Sequence, residues 1–140
     1  MNYHELADEF LNVMSKFMHT SYQKQLISLN CGEMSILNYL YHQPTGVKMS
    51  ELCRNLEVSA PRMTAVLNSL VKKNWVTRCR DNADGRCVMV RITEIGRAII
   101  LQKHEQLLLK IASSFSALNE KDAVAYVRIT QEMLQYFNQN

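Results

Sequence analysis

The stretch VTRCRDNADGRCVMVRIT, residues 76–93, decides how this chain is read. Two strand-like runs flank the turn sequence NADG. On the return leg Val88, Val90 and Ile92 alternate with Cys87, Met89 and Arg91, the period of a half-buried strand. Val76, Arg78 and Arg80 share one face of the outgoing leg. Gly85 is placed to supply the positive φ that such a turn requires. The stretch therefore predicts a hairpin over 76–92. It also holds four arginines, Arg78, Arg80, Arg86 and Arg91. A hairpin that only had to fold would not need cations at its base, its tip and its return leg.

The segments before the hairpin are helical. SAPRMTAVLNSLVKKNW, residues 59–75, predicts a helix over 60–73 with Ser59 or Ala60 as its cap and Pro61 tolerated in the first turn. Met63, Val66, Leu67 and Leu70 form its apolar side, and Asn74 fits the left-handed exit position. SELCRNLEVS, residues 50–59, predicts a short helix burying Leu52, Cys53 and Leu56, with a turn at Glu57 and Val58. In LNCGEMSILNYLYHQ, Asn30 and Glu33 have the spacing of a capping box, and Met34, Leu37, Leu40 and Tyr41 give the helical face. PTG at 44–46 ends that helix, and VKM after it suits one short extended strand.

The flanks are helical too. Leu6, Phe10, Val13, Met14, Phe17 and Met18 recur at three- and four-residue steps, predicting one long helix from Tyr3 to about Ser28. Thr93 is placed to cap a helix from Glu94 to about Phe115, and Asn119 one from Glu120 to about Phe137. The predicted class is mainly α with a small β-wing. Residues 30–100 would form a winged helix-turn-helix. Residues 1–28 and 116–140, with part of the 94–115 helix, would be dimerisation helices, all within one intertwined domain. Phe10, Val13, Phe17, Leu118, Val127, Leu134 and Phe137 are expected at the subunit interface, because the terminal helices are more apolar than a monomer needs.

Charge points to one region. Between Arg62 and Arg97 eight cations face three anions, a net +5, while the rest of the chain carries −2. A basic middle in a slightly acidic remainder suits a polyanion met by one surface. In a helix-turn-helix the second helix presents its N-terminal residues to base edges in the major groove. Here that end offers Ser59, Ala60, Pro61, Arg62, Thr64, Ala65 and Asn68, with Lys72 further along. Arginine pairs with guanine, asparagine with adenine, and Ala or a Thr methyl touches thymine. Arg86, at the hairpin tip, suits minor-groove insertion, with Asp84 placed to fix its guanidinium. Arg78 and Arg80, at the base, suit the flanking phosphates.

SAPRMTAVLNSLVKKNWV followed by TRCRDNADGRCVMVRITEIG resembles the MarR family of winged-helix transcriptional regulators. The family's wing pattern is an Asp, two or three residues, Asp-x-Arg, then hydrophobic alternation ending in Leu-Thr-x-x-Gly. Asp81, Asp84, Arg86, Ile92, Thr93 and Gly96 fall in those places. Asn74 departs from the usual Gly, and Gly85 from a frequent Arg. The resemblance implies a homodimer whose two winged helices read a pseudo-palindromic double-stranded DNA operator, about 34 Å apart. It implies a repressor released by a small molecule or an oxidant. It further places an effector pocket between the dimer helices and the winged helix, with Met14, Met18, Met34, Tyr41 and Leu101 as lining.

Other readings are narrower. A redox-responsive regulator would use Cys31, at a predicted helix N-terminus, or Cys79 and Cys87 beside the wing turn. With the turn centred on Ala83 and Asp84, Cys79 is expected opposite Val88, which makes a Cys79–Cys87 disulfide strained. A winged helix that binds protein and not DNA is a further alternative. His4, His19, His42 and His104 are scattered, so no metal site and no cofactor is expected. No nucleophile elbow, phosphate loop or paired-carboxylate site is visible, so no enzyme is expected. No apolar run reaches the ~18 residues of a membrane span, and the acidic start is unlike a signal peptide. The chain is expected in the cytoplasm, with no membrane partner and with its four cysteines as free thiols.

Overall fold

The computed structural model describes residues 2–29, 31–80, 83 and 85–140. In chain order the elements are α1 (Tyr3–Phe17), α2 (Ser21–Ser28), α3 (Gly32–Tyr41), β1 (Val47–Lys48), α4 (Met49–Leu56) and α5 (Ala60–Lys72). They continue with β2 (Val76–Arg80), β3 (Val88–Ile92), α6 (Glu94–Ser116) and α7 (Glu120–Gln139). The three strands form one antiparallel sheet in the order β1-β3-β2. The chain divides into two compact units, residues 1–104 and 105–140, with the division inside α6.

The expected single first helix is two. Asn2 caps α1 in a complete capping box with Glu5. The helix then ends because the Thr20 hydroxyl donates to the Phe17 carbonyl at 2.7 Å and accepts from the Gln23 amide at 3.3 Å. A side chain that satisfies backbone groups locally competes with helix continuation and favours a new start. The apolar periodicity runs through the break because Phe17 and Tyr22 still meet, ring centroids 5.6 Å apart.

The first unit is built around the helix-turn-helix. Its core is Ile36, Leu37 and Leu40 of α3, Leu52 of α4, and Met63, Leu67 and Leu70 of α5. Val47, Val76 and Val90 from the three strands and Ile100 of α6 complete it. Truncating one of these leucines to Ala would cost about 2–5 kcal/mol, the usual range for a filled core site. Two expected core residues of α4, Cys53 and Leu56, are only half-buried, because an eight-residue helix gives the core little more than one turn of its face, and Val66 of α5 is half-buried as well. Asn30, expected to cap α3, lies outside the described residues. Cys31 is the N-cap, without a side-chain bond. Glu33 reaches α5 and the residue that caps its end.

The wing hangs from a tight corner. Asn74 leaves α5 in the left-handed region, φ 62°. The Thr93 amide donates to the Trp75 carbonyl at 3.0 Å, and the Thr93 hydroxyl donates to the Asn74 carbonyl at 2.6 Å. The same hydroxyl accepts from the Gly96 amide at 3.0 Å, capping α6. Gly96 lies so close that an added Cβ would collide with the Trp75 carbonyl and sit 2.9 Å from the Ile92 side chain. Val76 pairs with Ile92 and Arg80 with Val88. Cys79 therefore faces Met89, one position from the partner expected, because the connection between the legs is longer by one than a turn centred on Ala83 and Asp84. Gly85, expected to supply a positive φ to the turn, does not adopt one; the left-handed glycines among the described residues are Gly32 and Gly46. The turn residues Asp81, Asn82 and Asp84, and the expectations placed on them, lie outside the described residues.

The second unit holds the end of α6 and α7. Asn119 caps α7 by accepting from the Asp122 amide at 2.9 Å, and Phe115 meets Tyr126 edge-on. Leu107 is its one buried large apolar side chain among the described residues, while Leu134 and Phe137 are 59% and 67% exposed.

Gly96→Ala is expected to lower stability by about 1–3 kcal/mol, the range for overpacking against a fixed backbone. A thermal melt of the variant against the wild type, followed by circular dichroism, checks it; an unchanged midpoint would contradict the corner geometry.

Candidate nucleic-acid interface

The helix α5, the candidate reading helix, is anchored on one side and open on the other. Met63, Leu67 and Leu70 fix α5 to the core. Its far end is tied to α3: Glu33 accepts from the Ser69 hydroxyl at 2.6 Å and from Lys73 Nζ at 2.6 Å. Lys73 also lies over the Trp75 ring, 4.6 Å from its centroid. Partial burial pulls the Glu33 carboxyl upward, but the Lys73 and Ser69 hydrogen bonds and the Lys73 charge outweigh it, so the group is held below its ordinary value. A second tie joins α3 to α4, where the Tyr39 hydroxyl accepts from Asn55 at 2.6 Å and donates to Glu51 at 3.4 Å.

The open side carries the residues singled out from the sequence. Ser59, Ala60, Pro61, Arg62, Thr64, Ala65, Asn68 and Lys72 are all exposed. Arg62, Ala65, Asn68 and Lys72 follow three- and four-residue steps and so share one helix face. Ser59 is the N-cap with extended backbone, and its side chain makes no cap bond. Backbone amides of the first helical turn lack intrahelical partners and suit an anion. The Thr64 hydroxyl donates to the Ala60 carbonyl at 2.9 Å, which commits its proton and leaves its methyl and lone pairs for contact.

The wing brings β2 to the same place, and Arg80, expected at the wing's base, instead sits at its turn end, paired with Val88, while Arg78 is mid-strand opposite Val90. Thr64 of α5, Met49 of α4, Arg78, Cys79 and Arg80 of β2, and Val88 of β3 line one open groove of about 300 Å³. Only Val76 of β2 is buried, so the strand projects beyond the core and carries Arg78 and Arg80 outward. Arg80 donates to the Gly85 carbonyl at 2.8 Å, bracing the hairpin near its tip. Arg86 is exposed beside a second groove that Ala60 also lines. Asp84, expected to fix Arg86, lies outside the described residues.

The remaining wing-region arginines have other work. Arg91 packs over Gly46, whose φ of 87° and lack of a side chain leave room for it; an added Cβ would sit 2.6 Å from Arg91 Cγ. Arg97 lies over the Tyr41 ring, 4.9 Å from its centroid. Arg91 nevertheless stays exposed, as Arg62, Arg78, Arg80 and Arg86 do, while Arg97 is half-buried. Sequence spacing did not reveal these two contacts, because the partners Gly46 and Tyr41 are remote in the chain.

Residues expected at an effector pocket are split. Met34 and Tyr41 pack against the core, Met14 is half-buried, and Met18 and Leu101 are exposed. Of those expected at an interface, Phe17 is half-buried and Phe10, Val13, Leu118, Val127, Leu134 and Phe137 are exposed in the single chain. The four cysteines are free thiols, with Cys31 and Cys79 exposed. Among the described residues no group of three or more His, Cys, Asp or Glu side chains is placed to hold a metal ion. None of the described helices is long and apolar enough to cross a membrane.

Comparison with known proteins gives a consistent picture. The sequence model described as MarR family matches residues 27–86. The chain is 30% identical over 105 residues to the HTH-type transcriptional regulator YpoP of Bacillus subtilis, covering 75% of this chain and 74% of YpoP. It is 28% identical over 124 residues to the HTH-type transcriptional regulator SarU of Staphylococcus aureus, covering 87% of this chain and 49% of SarU, so it spans about half of that relative. Among solved structures, Streptococcus pneumoniae FabT in complex with DNA matches at TM-score 0.68 and 17% identity, covering 99% of both chains. At that identity the likeness concerns the fold.

Glu33→Gln is expected to cost about 1 kcal/mol near neutral pH, the scale of a partly exposed, charge-assisted pair. A carboxyl with a lowered value in the folded state stabilises above its unfolded value and loses that contribution as pH falls through the folded one. The gap between wild type and variant should therefore close below about pH 4. Urea titrations at pH 7 and pH 3 check this; a gap that stays constant would contradict the ion pair.

Proposed function

Because the chain belongs to the MarR family of winged-helix transcriptional regulators, and is a regulator and not an enzyme, we propose that it is a homodimeric, sequence-specific DNA-binding repressor acting in the cytoplasm. One observation carries the reading: Thr64 from the reading helix and Arg78 and Arg80 from the wing line a single open groove. Two chemically different readers at one surface suit a duplex, with a base-edge contact in the major groove and cations on the flanking backbone.

In this reading Arg62 and Asn68 contact base edges, with Ala65 and the Thr64 methyl placed for thymine. Ser59, Ala60 and Pro61 set the helix tip against a phosphate, with Lys72, Arg78 and Arg80 on the backbone beyond. Arg86 enters the minor groove, where negative potential draws a guanidinium. The operator is a pseudo-palindrome, because two such surfaces are related by a dimer axis. FabT has been solved with DNA bound, which supports the choice of partner.

Dimerisation draws support from the terminal helices. Phe10, Val13, Leu118, Val127, Leu134 and Phe137 stay exposed on one chain, far more apolar surface than a monomer usually shows. A second chain with the same helices would cover them, Phe17 included. A small-molecule effector then acts through residues such as Met14, Met18, Met34, Tyr41 and Leu101, of which the methionines adapt readily to different ligands.

Two outcomes test the proposal. DNA affinity should fall steeply with salt through counterion release, and Arg86→Ala should weaken it at least tenfold while lowering the salt slope by about one. Fluorescence anisotropy across a salt series, with circular dichroism to verify folding, measures both; unchanged affinity would remove the wing from the interface. Separately, Leu134→Asp with Phe137→Asp should give a monomer by sedimentation velocity, and a persistent dimer would place the subunit contact elsewhere.

A further inference from the structure

The second groove beside the reading helix has a feature the DNA-binding reading does not use. Cys53 of α4 and Cys87, just ahead of β3, line it together, although 34 positions separate them in the sequence. Its volume is about 240 Å³, and Lys48, Ala60 and Arg86 line it as well. Both thiols are free and half-buried, whereas Cys31 and Cys79 are exposed at other places. Cys53 belongs to α4 and Cys87 immediately precedes β3, and α4 and β3 pack against each other. Cys79, the nearer cysteine in sequence, is directed elsewhere by the strand register, opposite Met89.

We infer that Cys53 and Cys87 form a two-thiol capture site for a soft, thiophilic electrophile that bonds both sulfurs through one atom. A trivalent organoarsenical is a member of that class and serves as the probe. In the capture step both S–H bonds and the arsenic–oxygen double bond break. Two arsenic–sulfur bonds form, and the oxygen leaves as water with the two thiol protons. Arsenic stays trivalent, so no oxidant or reductant is needed. Two sulfurs held in one cleft bind such an atom far more firmly than either alone, because the second bond forms at high effective concentration.

Capture would bear on DNA binding because Ala60 opens the reading helix and Arg86 is the wing's candidate for the minor groove. A bridge from α4 to the residue just ahead of β3 fills the cleft between them and ties the turn end of the wing to α4. This regulatory part rests on the DNA-binding reading above; the capture itself does not.

The test treats the full-length protein with phenylarsine oxide, followed by a chase with excess monothiol and intact-mass measurement. Wild type and Cys31→Ser/Cys79→Ser should each retain one reagent less one water per chain, and a dithiol should release it. Proteolysis should recover the peptides carrying Cys53 and Cys87 joined through arsenic. Cys53→Ser and Cys87→Ser should each lose the chase-resistant adduct, with circular dichroism verifying the fold; the peptide mapping on wild type decides the matter if a variant does not fold. Retention of the adduct in the Cys53→Ser/Cys87→Ser variant, or a wild-type adduct mapped to other cysteines, overturns the site. DNA affinity of the modified wild type should drop at least tenfold. An adduct at the right cysteines with unchanged DNA affinity overturns the regulatory part, and absence of DNA binding before treatment counts against the proposed function instead.

Discussion

The backbone corner at Trp75, Thr93 and Gly96 sets the geometry on which the rest depends. One threonine side chain donates to the exit of the reading helix and accepts from the start of α6, while its amide holds the first wing strand. The helix, the wing and α6 therefore share one root and have little freedom to rotate separately. Gly96 is required there because the Trp75 carbonyl occupies the space a side chain would need. Asn74 completes the corner by taking a left-handed conformation that most residues adopt at a cost of about 1–2 kcal/mol. A surface that must meet two grooves of a duplex gains from such a root, since pre-organisation lowers the ordering cost of binding.

Much of this was legible in the sequence, and the reasons differ by element. Alternation in 87–92 and the Thr-x-x-Gly after it located β3 and the cap of α6. Pro61 and Asn74 bracketed the reading helix, because each residue type is acceptable at so few helix positions. The exposed reading face followed from subtraction: once Met63, Leu67 and Leu70 take the core, Arg62, Ala65 and Asn68 have nowhere else to point.

What was not legible depended on contacts between distant positions. The break at Thr20 left the apolar rhythm intact, and only the low helix preference of the Thr20–Ser21 pair signals it. Glu33 has the spacing of a capping box, yet its partners Ser69 and Lys73 lie 36 and 40 positions away. Arg91 and Arg97 read as part of a basic patch until Gly46 and Tyr41 are seen beneath them. Cys53 and Cys87 share a cleft only because the sheet register brings the start of β3 to α4.

In the proposed function, α5 and the wing act as one surface, used twice across a dimer axis. Repeated selection of bound duplexes from a random-sequence library tests it most directly. An inverted repeat whose half-sites are centred about one helical turn apart, roughly 10 base pairs, is expected to be enriched. Enrichment of unpaired single half-sites, or of no sequence at all, would contradict it.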